Sequence, residues 1–238
     1  VRVGDGTAAG AAYVATIDAE LTGAAGLVKT DAGTLILTGG NSYTGGTSIN
    51  GGTLQIGADG NLGAAAGALG FDGGILRTTA SFTSARDVDL IGAGGFLTDT
   101  GTTLTLAGAL SGTGSFTKSG DGTLVLGGSG SFGGATVAGG TLFVNGDYAA
   151  AGGTTSVLAG ATLGGTGTVG GNVAFANGAT LAPGAGAAGT LTIGGDLSLS
   201  ATTQLDFEFG AAGIVGGALN DLVNVGGNLV LDGVLNVG

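Results

Sequence analysis

The sequence predicts an all-β solenoid, in which short parallel strands coil around one narrow core. A first observation is internal repetition: Lys-Thr-Asp-Ala-Gly-Thr-Leu-Ile-Leu at residues 29–37 returns as Lys-Ser-Gly-Asp-Gly-Thr-Leu-Val-Leu at residues 118–126. A second is that Gly makes up 58 of 238 residues against one Pro, without the third-residue period of collagen. Strand units separated by glycine turns bury their apolar face only against a neighbour of the same kind.

The leucines that follow the glycine turns indicate the length of one coil. Most of their successive gaps lie near 20 residues, which is close to one coil of a three-sided parallel β-helix and too short for two-helix repeats. A chain of this length therefore holds about 11 coils. The leucines are Leu35, Leu54, Leu76, Leu104, Leu124, Leu142, Leu163, Leu181 and Leu191.

Within each predicted strand, apolar residues alternate with polar ones. Pairs such as Leu124 and Leu126 point into the core, and the residue between them points outward. Three outward positions are nevertheless apolar, and we consider them a possible contact surface: Ile36, Val125 and Phe143. They are either scattered surface residues or a stripe that packs on a partner or a loop.

Several site classes are excluded by composition. The chain has no Cys and no His, which removes thiolate nucleophiles, histidine triads and the usual zinc and haem ligands. The calcium-binding repeat Gly-Gly-x-Gly-x-Asp is also missing, since Gly127-Gly128-Ser129-Gly130-Ser131 is followed by Phe132. We therefore predict no catalytic residue, no cofactor and no metal.

The charge balance excludes nucleic acid as a partner. The 5 basic residues against 16 acidic ones give a net charge of −11. A duplex-binding surface needs clustered Lys and Arg to neutralise phosphates, and five scattered cations do not provide it.

The last quarter of the chain changes character near its single proline, Pro183. Its strands look longer and are separated by hairpin-like glycine turns. An open solenoid end exposes unpaired strand edges, so this region is interpreted as a cap. We divide the chain into a stem, residues 1–184, and a C-terminal cap, residues 185–238. We expect the folding role of the cap to rest on Leu222, Val223, Val225, Leu229 and Leu231, and we place Leu222 at a core position.

The repeat resembles that of a known family. Lys-x-Gly-x-Gly-Thr-Leu-x-Leu, then Tyr/Phe-x-Gly-Gly, then Gly-Gly-Thr-Leu-x-Ile/Val is similar to the strand repeat of autotransporter passenger domains, which use type V secretion. Lys118, Gly120 and Leu124 carry it, together with residues 139–144, and the first copy departs at Asp31 and Ala32. The run from residue 178 to 237 resembles the autochaperone region that precedes the outer-membrane barrel in that family.

The resemblance implies a right-handed parallel β-helix, without enzymatic activity, at the surface of a Gram-negative cell or released from its outer membrane. It implies an adhesin, with a role in virulence, whose C-terminal cap assists folding and secretion. The implied partners are a host surface or matrix component, other passengers of the same kind, and the protein's own outer-membrane β-barrel, which lies outside this chain. Since the sequence starts at Val1 without an initiator Met, we expect it to be an excised fragment.

Two other functions were considered. A polysaccharide-active β-helix enzyme would use paired carboxylates, for which Asp87 with Asp89, and Asp206 with Glu208, are the candidates. Such an enzyme also needs cations for an acidic sugar, and only Arg77 and Arg86 are near. An ice-binding solenoid would show a Thr array in every coil, whereas the Thr-x-Thr segments here have no common period.

Overall fold

The computed structural model describes residues 1–237 and confirms the all-β parallel solenoid. Within residues 1–237 all paired strands are parallel, and helix is limited to two short 3₁₀ turns, Ala8–Ala12 and Asp59–Leu62. None of the helices among these residues is long and apolar enough to cross a membrane.

The strands are short, as glycine turns every few residues require. The first fourteen are β1 (Val14–Ile17), β2 (Leu27–Lys29), β3 (Thr34–Leu37), β4 (Thr47–Ile49), β5 (Thr53–Ile56), β6 (Leu69–Phe71), β7 (Ile75–Thr78), β8 (Phe82–Ser84), β9 (Val88–Leu90), β10 (Gly94–Thr98), β11 (Thr103–Leu106), β12 (Leu110–Gly112), β13 (Phe116–Ser119) and β14 (Thr123–Leu126). The others are β15 (Ala135–Val137), β16 (Thr141–Val144), β17 (Asp147–Tyr148), β18 (Thr155–Val157), β19 (Thr162–Gly165), β20 (Thr168–Val169), β21 (Val173–Phe175), β22 (Thr180–Pro183), β23 (Thr190–Ile193), β24 (Leu197–Ser198), β25 (Gln204–Phe207), β26 (Leu222–Val225), β27 (Leu229–Val230) and β28 (Val234–Val237).

These strands form three faces. Face 1 is an 11-stranded sheet in the order β1-β3-β5-β7-β10-β13-β15-β18-β21-β24-β27, and face 2 is an eight-stranded sheet that runs from β8 to β28. Face 3 consists of a five-stranded sheet (β2, β4, β6, β9, β12) and a four-stranded sheet (β17, β20, β23, β26). Isolated bridges around Ser129 and Gly130 link these two parts of face 3. Each full coil therefore passes from face 3 to face 1 to face 2.

The core is a stack of inward side chains in register. Leu35 pairs with Leu54 on face 1, and Leu104, Leu124 and Leu142 pair in succession on face 2. All five are 0–1 % exposed, which confirms the predicted inward leucines. Because each coil covers the one before it, burial of these residues depends on their neighbours along the solenoid.

Five aromatic side chains form a row in the interior, in which each ring lies next to the following one. Neighbouring ring centroids are 4.9 to 5.8 Å apart and the rings are tilted or edge-on, the arrangement that aromatic pairs prefer. The row consists of Phe71, Phe96, Phe116, Phe132 and Tyr148. The Tyr148 hydroxyl has no hydrogen-bond partner within residues 1–237, and burial raises the pKa of Tyr148 to about 12.

Face 2 begins only at β8, and polar side chains hold the earlier loops on that side. Asn41 accepts a hydrogen bond from the Leu21 amide and donates to the Asn61 carbonyl at 2.6 Å. One coil further on, the buried Arg86 binds the Asp59 carboxylate and four backbone carbonyls. Buried polar groups satisfied in this way order a loop instead of destabilising it.

The two copies of the repeat lie on different faces. In the first copy β2 and β4 are on face 3 and β3 and β5 on face 1. In the second copy the corresponding strands β13 and β15 are on face 1, and β14 and β16 on face 2. The second copy is therefore rotated by one face relative to the first.

The C-terminal strands continue the solenoid. β26, β27 and β28 each pair in parallel with the strand one coil earlier, so hairpin-like turns do not separate these strands in general. One hairpin-like loop is present between β25 and β26, where Phe209 and Asn220 form an antiparallel bridge. Faces 1 and 2 run through residue 184 without interruption, and the boundary placed there stays a prediction.

Candidate functional site

The three outward apolar residues do not form one stripe. Val125 and Phe143 are direct neighbours on face 2, whereas Ile36 lies on face 1 between Thr16 and Gln55. All three are half-buried, in phase with the outward positions of their strands. A contact surface at these positions is therefore limited to Val125 and Phe143, where the Phe143 ring lies beside the bare backbone of Gly164.

A file of threonines runs beside this pair on face 2. The five residues are aligned one per coil and each is in register with the next: Thr103, Thr123, Thr141, Thr162 and Thr180. Single threonines therefore recur with the coil on this face, through the Thr of Gly-Thr-Leu, whereas Thr-x-Thr segments do not. The outward position two residues later on each of these strands does not repeat threonine, so a double array of hydroxyls does not form. In coil order this position holds Thr105, Val125, Phe143, Gly164 and Ala182.

The first carboxylate pair accepts hydrogen bonds from the following coil. Asp87 accepts a hydrogen bond from the Ala109 amide at 3.0 Å and Asp89 one from the Ser111 hydroxyl at 3.3 Å. Both are exposed on the outer side.

The two arginines that an acidic sugar would need are bound elsewhere. Arg77 makes a two-point contact with Asp99, both at 2.9 Å, and Arg86 pairs with Asp59. The Asp99 contact also raises the pKa of Arg77.

In the second carboxylate pair, Glu208 interacts mainly with a different carboxylate, that of Asp221. Asp206 is exposed, whereas Glu208 lies beside the buried Asp221, which accepts hydrogen bonds from the Gly189 and Glu208 amides. The hydrogen bond with Asp221, then partial burial and the like charge of Asp221, raise the pKa of Glu208, with a smaller repulsion from Asp206. The pair that the structure brings together is Glu208 with Asp221.

The main unexpected feature is inside the solenoid: both lysines of the chain, Lys29 and Lys118, are 0 % exposed. Their positions follow from the alternation. Lys29 is two residues after the inward Leu27 on β2, and Lys118 is two residues after the inward Phe116 on β13. This period-2 phase indicates an inward lysine in both strands, against the general preference of lysine for the surface.

Each ammonium group is enclosed by three backbone carbonyls. The Lys29 Nζ donates to the carbonyls of Thr30 at 2.8 Å, Asp31 at 2.7 Å and Gly51 at 3.0 Å. We call these four residues the first lysine turn. All three N–H donors of the ammonium group are used.

The second copy repeats this geometry. The Lys118 Nζ donates to the carbonyls of Ser119 at 2.9 Å, Gly120 at 2.8 Å and Gly139 at 3.0 Å. These four residues form the second lysine turn. In both turns two acceptors follow the lysine directly and the third comes from the next coil.

The residue two positions after each lysine has a left-handed backbone. It is Gly120 with φ 74° in the second turn and Asp31 with φ 63° in the first. Asp31 is the one non-glycine residue with positive φ within residues 1–237, a conformation that costs an ordinary residue about 1 kcal/mol or more. The departure of the first copy from the motif therefore falls where the lysine requires an unusual backbone, and the Asp31 carboxylate pairs with Arg2 at 3.0 Å.

Burial acts on both lysine pKa values in the same direction. It lowers the pKa of Lys29, and it lowers the pKa of Lys118 to about 8, while Asp31 and Asp121 respectively oppose the change. The cause is the loss of hydration of the charged form.

The residues expected to support the cap lie in the last coil. Val223 and Val225 continue the inward positions of Leu191 and Ile193, whereas Leu222 is in register with the outward Thr190, so its assignment to the core was wrong. Leu229 and Leu231, with Leu235 and Val237 on face 2, are 50–70 % exposed because no described coil follows them. Within residues 1–237, the inward positions of the last coil are therefore open to solvent.

Comparison with known proteins identifies the repeat. The model of the Passenger-associated-transport-repeat matches residues 27–56 and 116–144, which are the two copies that contain the lysine turns. The predicted resemblance to autotransporter passenger domains is confirmed. The matched passenger repeats end at the inward residues of β5 and β16.

A named autotransporter relative supports the same assignment. The chain is 51 % identical over 144 residues to a protein named Adhesin BmaC autotransporter from Brucella suis biovar 1 (strain 1330). The match covers 60 % of this chain and 4 % of that protein, so the chain spans a small part of its relative's length. No solved structure matches the chain.

Proposed function

We propose that the chain is an extracellular, non-enzymatic stem of an adhesin-type autotransporter passenger from a Gram-negative bacterium. The observation that carries the proposal is the 51 % identity to a protein named as an adhesin, over 144 residues of a regular solenoid. A continuous solenoid supports such a role physically, because its flat faces extend with every coil and provide a long contact surface.

Face 2 is the part of the stem that we propose for adhesion to a host surface or matrix component. Val125 and Phe143 form an uncharged apolar pair beside the threonine file, on a chain whose net charge is −11. An apolar patch without like charges is the type of surface on which an acidic protein binds other macromolecules.

Adhesion is tested with the purified chain on immobilised collagen, immobilised fibronectin and cultured epithelial cells. The double variant Val125→Asp/Phe143→Asp should lose at least tenfold in binding. The matched control, Thr136→Asp/Ser156→Asp, adds the same charges to neighbouring outward positions of face 1 and should retain binding. Equal binding by both variants, or no binding by the unaltered chain, would contradict an adhesive face 2, and concentration-dependent sedimentation would indicate self-association instead.

We further propose that the C-terminal coils assist folding of the coils before them. Leu205, Phe207, Val223 and Val225 pack against the buried core, and Leu205 lies directly over Leu181. A coil laid down first would offer paired strand edges and a formed apolar surface to its neighbour.

The folding role is tested by comparing truncations at the two ends. A chain ending at residue 203 should refold more slowly and leave residues 26–180 sensitive to protease. The matched control, a chain starting at residue 27, also loses one end of the solenoid and should refold at the rate of the intact chain. If both truncations behave alike, the C-terminal coils have no special role in folding.

A further inference from the structure

The two lysine turns are unusual for their setting. Lysine is among the residues least often buried, and a buried ammonium group costs several kcal/mol unless its donors are satisfied. The chain has two lysines, and both occupy inward positions that hold Leu, Ile, Val or Phe elsewhere in the solenoid. Such a residue gives little net stability, so we look for its role in determining which conformation the chain adopts.

The strand register of a glycine-rich solenoid needs a specific determinant. Register is weakly specified in strands that are rich in Gly and small polar residues. Here the sequence Gly-Thr-Leu begins strand β3, β5, β14 and β16 alike, and a slip of two residues would still bring an apolar side chain inward. Leucine packing alone therefore does not distinguish the observed pairing from a slipped one.

The lysine turns do make this distinction. Two of the three acceptors belong to the lysine's own corner, and the third, Gly51 or Gly139, belongs to the same corner of the next coil. A slip of the next coil moves the third carbonyl away from the ammonium group. The charged amine is then left buried with an unused donor, which is far more costly than a misplaced leucine.

The same lysine geometry occurs in both copies of the repeat, although the two copies lie at different corners of the solenoid. The first lysine turn lies at the corner between faces 3 and 1 and the second at the corner between faces 1 and 2, yet corresponding distances agree within 0.1 Å. The left-handed residue is also retained in both, even where it is the strained Asp31.

We propose that the two lysine turns are register locks, in which an enclosed ammonium group fixes the pairing of one coil with the next. This inference concerns the assembly of the stem and does not depend on what its faces bind.

Cysteine trapping tests the register directly, since the natural chain has no Cys. Thr123→Cys with Thr141→Cys reports the observed pairing of β14 with β16, and Thr123→Cys with Phe143→Cys reports a slip of two residues. With Lys118 present, the first pair should oxidise to a disulfide at least tenfold faster than the second. In a Lys118→Met background this preference should fall below about threefold.

Matched variants separate a register lock from general core damage. Leu126→Met is a change of similar size at a buried position of the same copy and should retain the tenfold preference. Lys118→Gln keeps two donors without the charge and should give an intermediate preference. A preference in folded Lys118→Met equal to that of the unaltered chain would overturn the proposal.

Amine labelling keeps the proposal testable if Lys118→Met does not fold. In the unaltered chain, Lys29 and Lys118 should react with an amine-reactive ester at least 100-fold more slowly than the amine introduced by Thr117→Lys, which is exposed on the outer side of β13. Labelling of Lys118 at the rate of that control would show that the second lysine turn is open, and would overturn the proposal.

Discussion

Strands β14 and β28 occupy the same face and follow the same alternation, but their inward residues have opposite environments. Leu124 and Leu126 on β14 are 0 % exposed, whereas Leu235 and Val237 on β28 are 55 % and 62 % exposed. Both strands pair in parallel with a preceding strand, and within residues 1–237 only β14 is followed by another. The difference teaches that burial in this fold is a property of neighbouring coils and not of the strand sequence.

The largest expected difference in stability is between two variants that truncate one inward leucine, the first in β14 and the second in β28. Leu124→Ala should lower the free energy of unfolding by about 2–5 kcal/mol, because it leaves a cavity in a closed core. Leu235→Ala should lower it by less than about 1 kcal/mol, as for a surface site. Urea denaturation measures both, and equal losses would show that the last coil is covered in solution.

Alkaline pH should act on the closed region through Lys118. Its pKa is about 8 in the fold and 10.5 as the ordinary value, so between these values the unfolded chain holds more protons. The contribution of Lys118 to stability therefore rises with pH across this window. The melting temperature of the unaltered chain should increase relative to that of Lys118→Met as the pH is raised from about 7.5 to about 10, and a constant difference would mean that the three carbonyls cancel the effect of burial.

An outward residue of the closed region should matter less than an inward one. Phe143→Ser should cost within about 1 kcal/mol, although Phe143 lies on a fully paired strand. Thermal unfolding beside Leu142→Ser, which alters the adjacent inward position, gives the contrast. A loss as large as that of Leu142→Ser would show that the inward and outward assignments are reversed.

The smallest expected effect lies at the open end, at Glu208. Its raised pKa means that the fold binds the Glu208 proton more tightly than the unfolded chain does, so stability is lost as the pH rises through the folded value. Glu208→Gln should therefore raise the melting temperature slightly at neutral pH, and the gain should disappear below the ordinary value of 4.5. Glu20→Gln, remote in sequence and exposed, is the control, and an equal gain there would indicate a general charge effect.

The repetitive part of the fold could be predicted because two signals agree. Gly-Thr-Leu sets the turn and the inward phase together, and the 20-residue spacing sets the coil, so Leu35, Leu54 and Leu124 were placed correctly. The face of each strand could not be predicted, since it depends on the accumulated length of all earlier turns. This is why Ile36 and Val125, equivalent in sequence, lie on different faces.

The candidate site was harder to predict than the fold. Lys118 has the inward phase of Phe116, but lysine inside a core contradicts residue preference, and only the carbonyls of Gly120 and Gly139 explain it. Their approach depends on a left-handed backbone and on a neighbouring coil, and neither is encoded in local alternation. Leu222 was misplaced because one residue of phase decides between inward and outward.

Enclosure of both lysines also removes their ammonium groups from the outer surface of the stem. The remaining basic side chains are three arginines, and each is paired with an aspartate: Arg2 with Asp31, Arg77 with Asp99 and Arg86 with Asp59. On the outer surface, carboxylates therefore far outnumber cationic groups. Long-range attraction is thus reserved for cationic surfaces, and at physiological ionic strength it extends about 8 Å from the stem before counter-ions screen it.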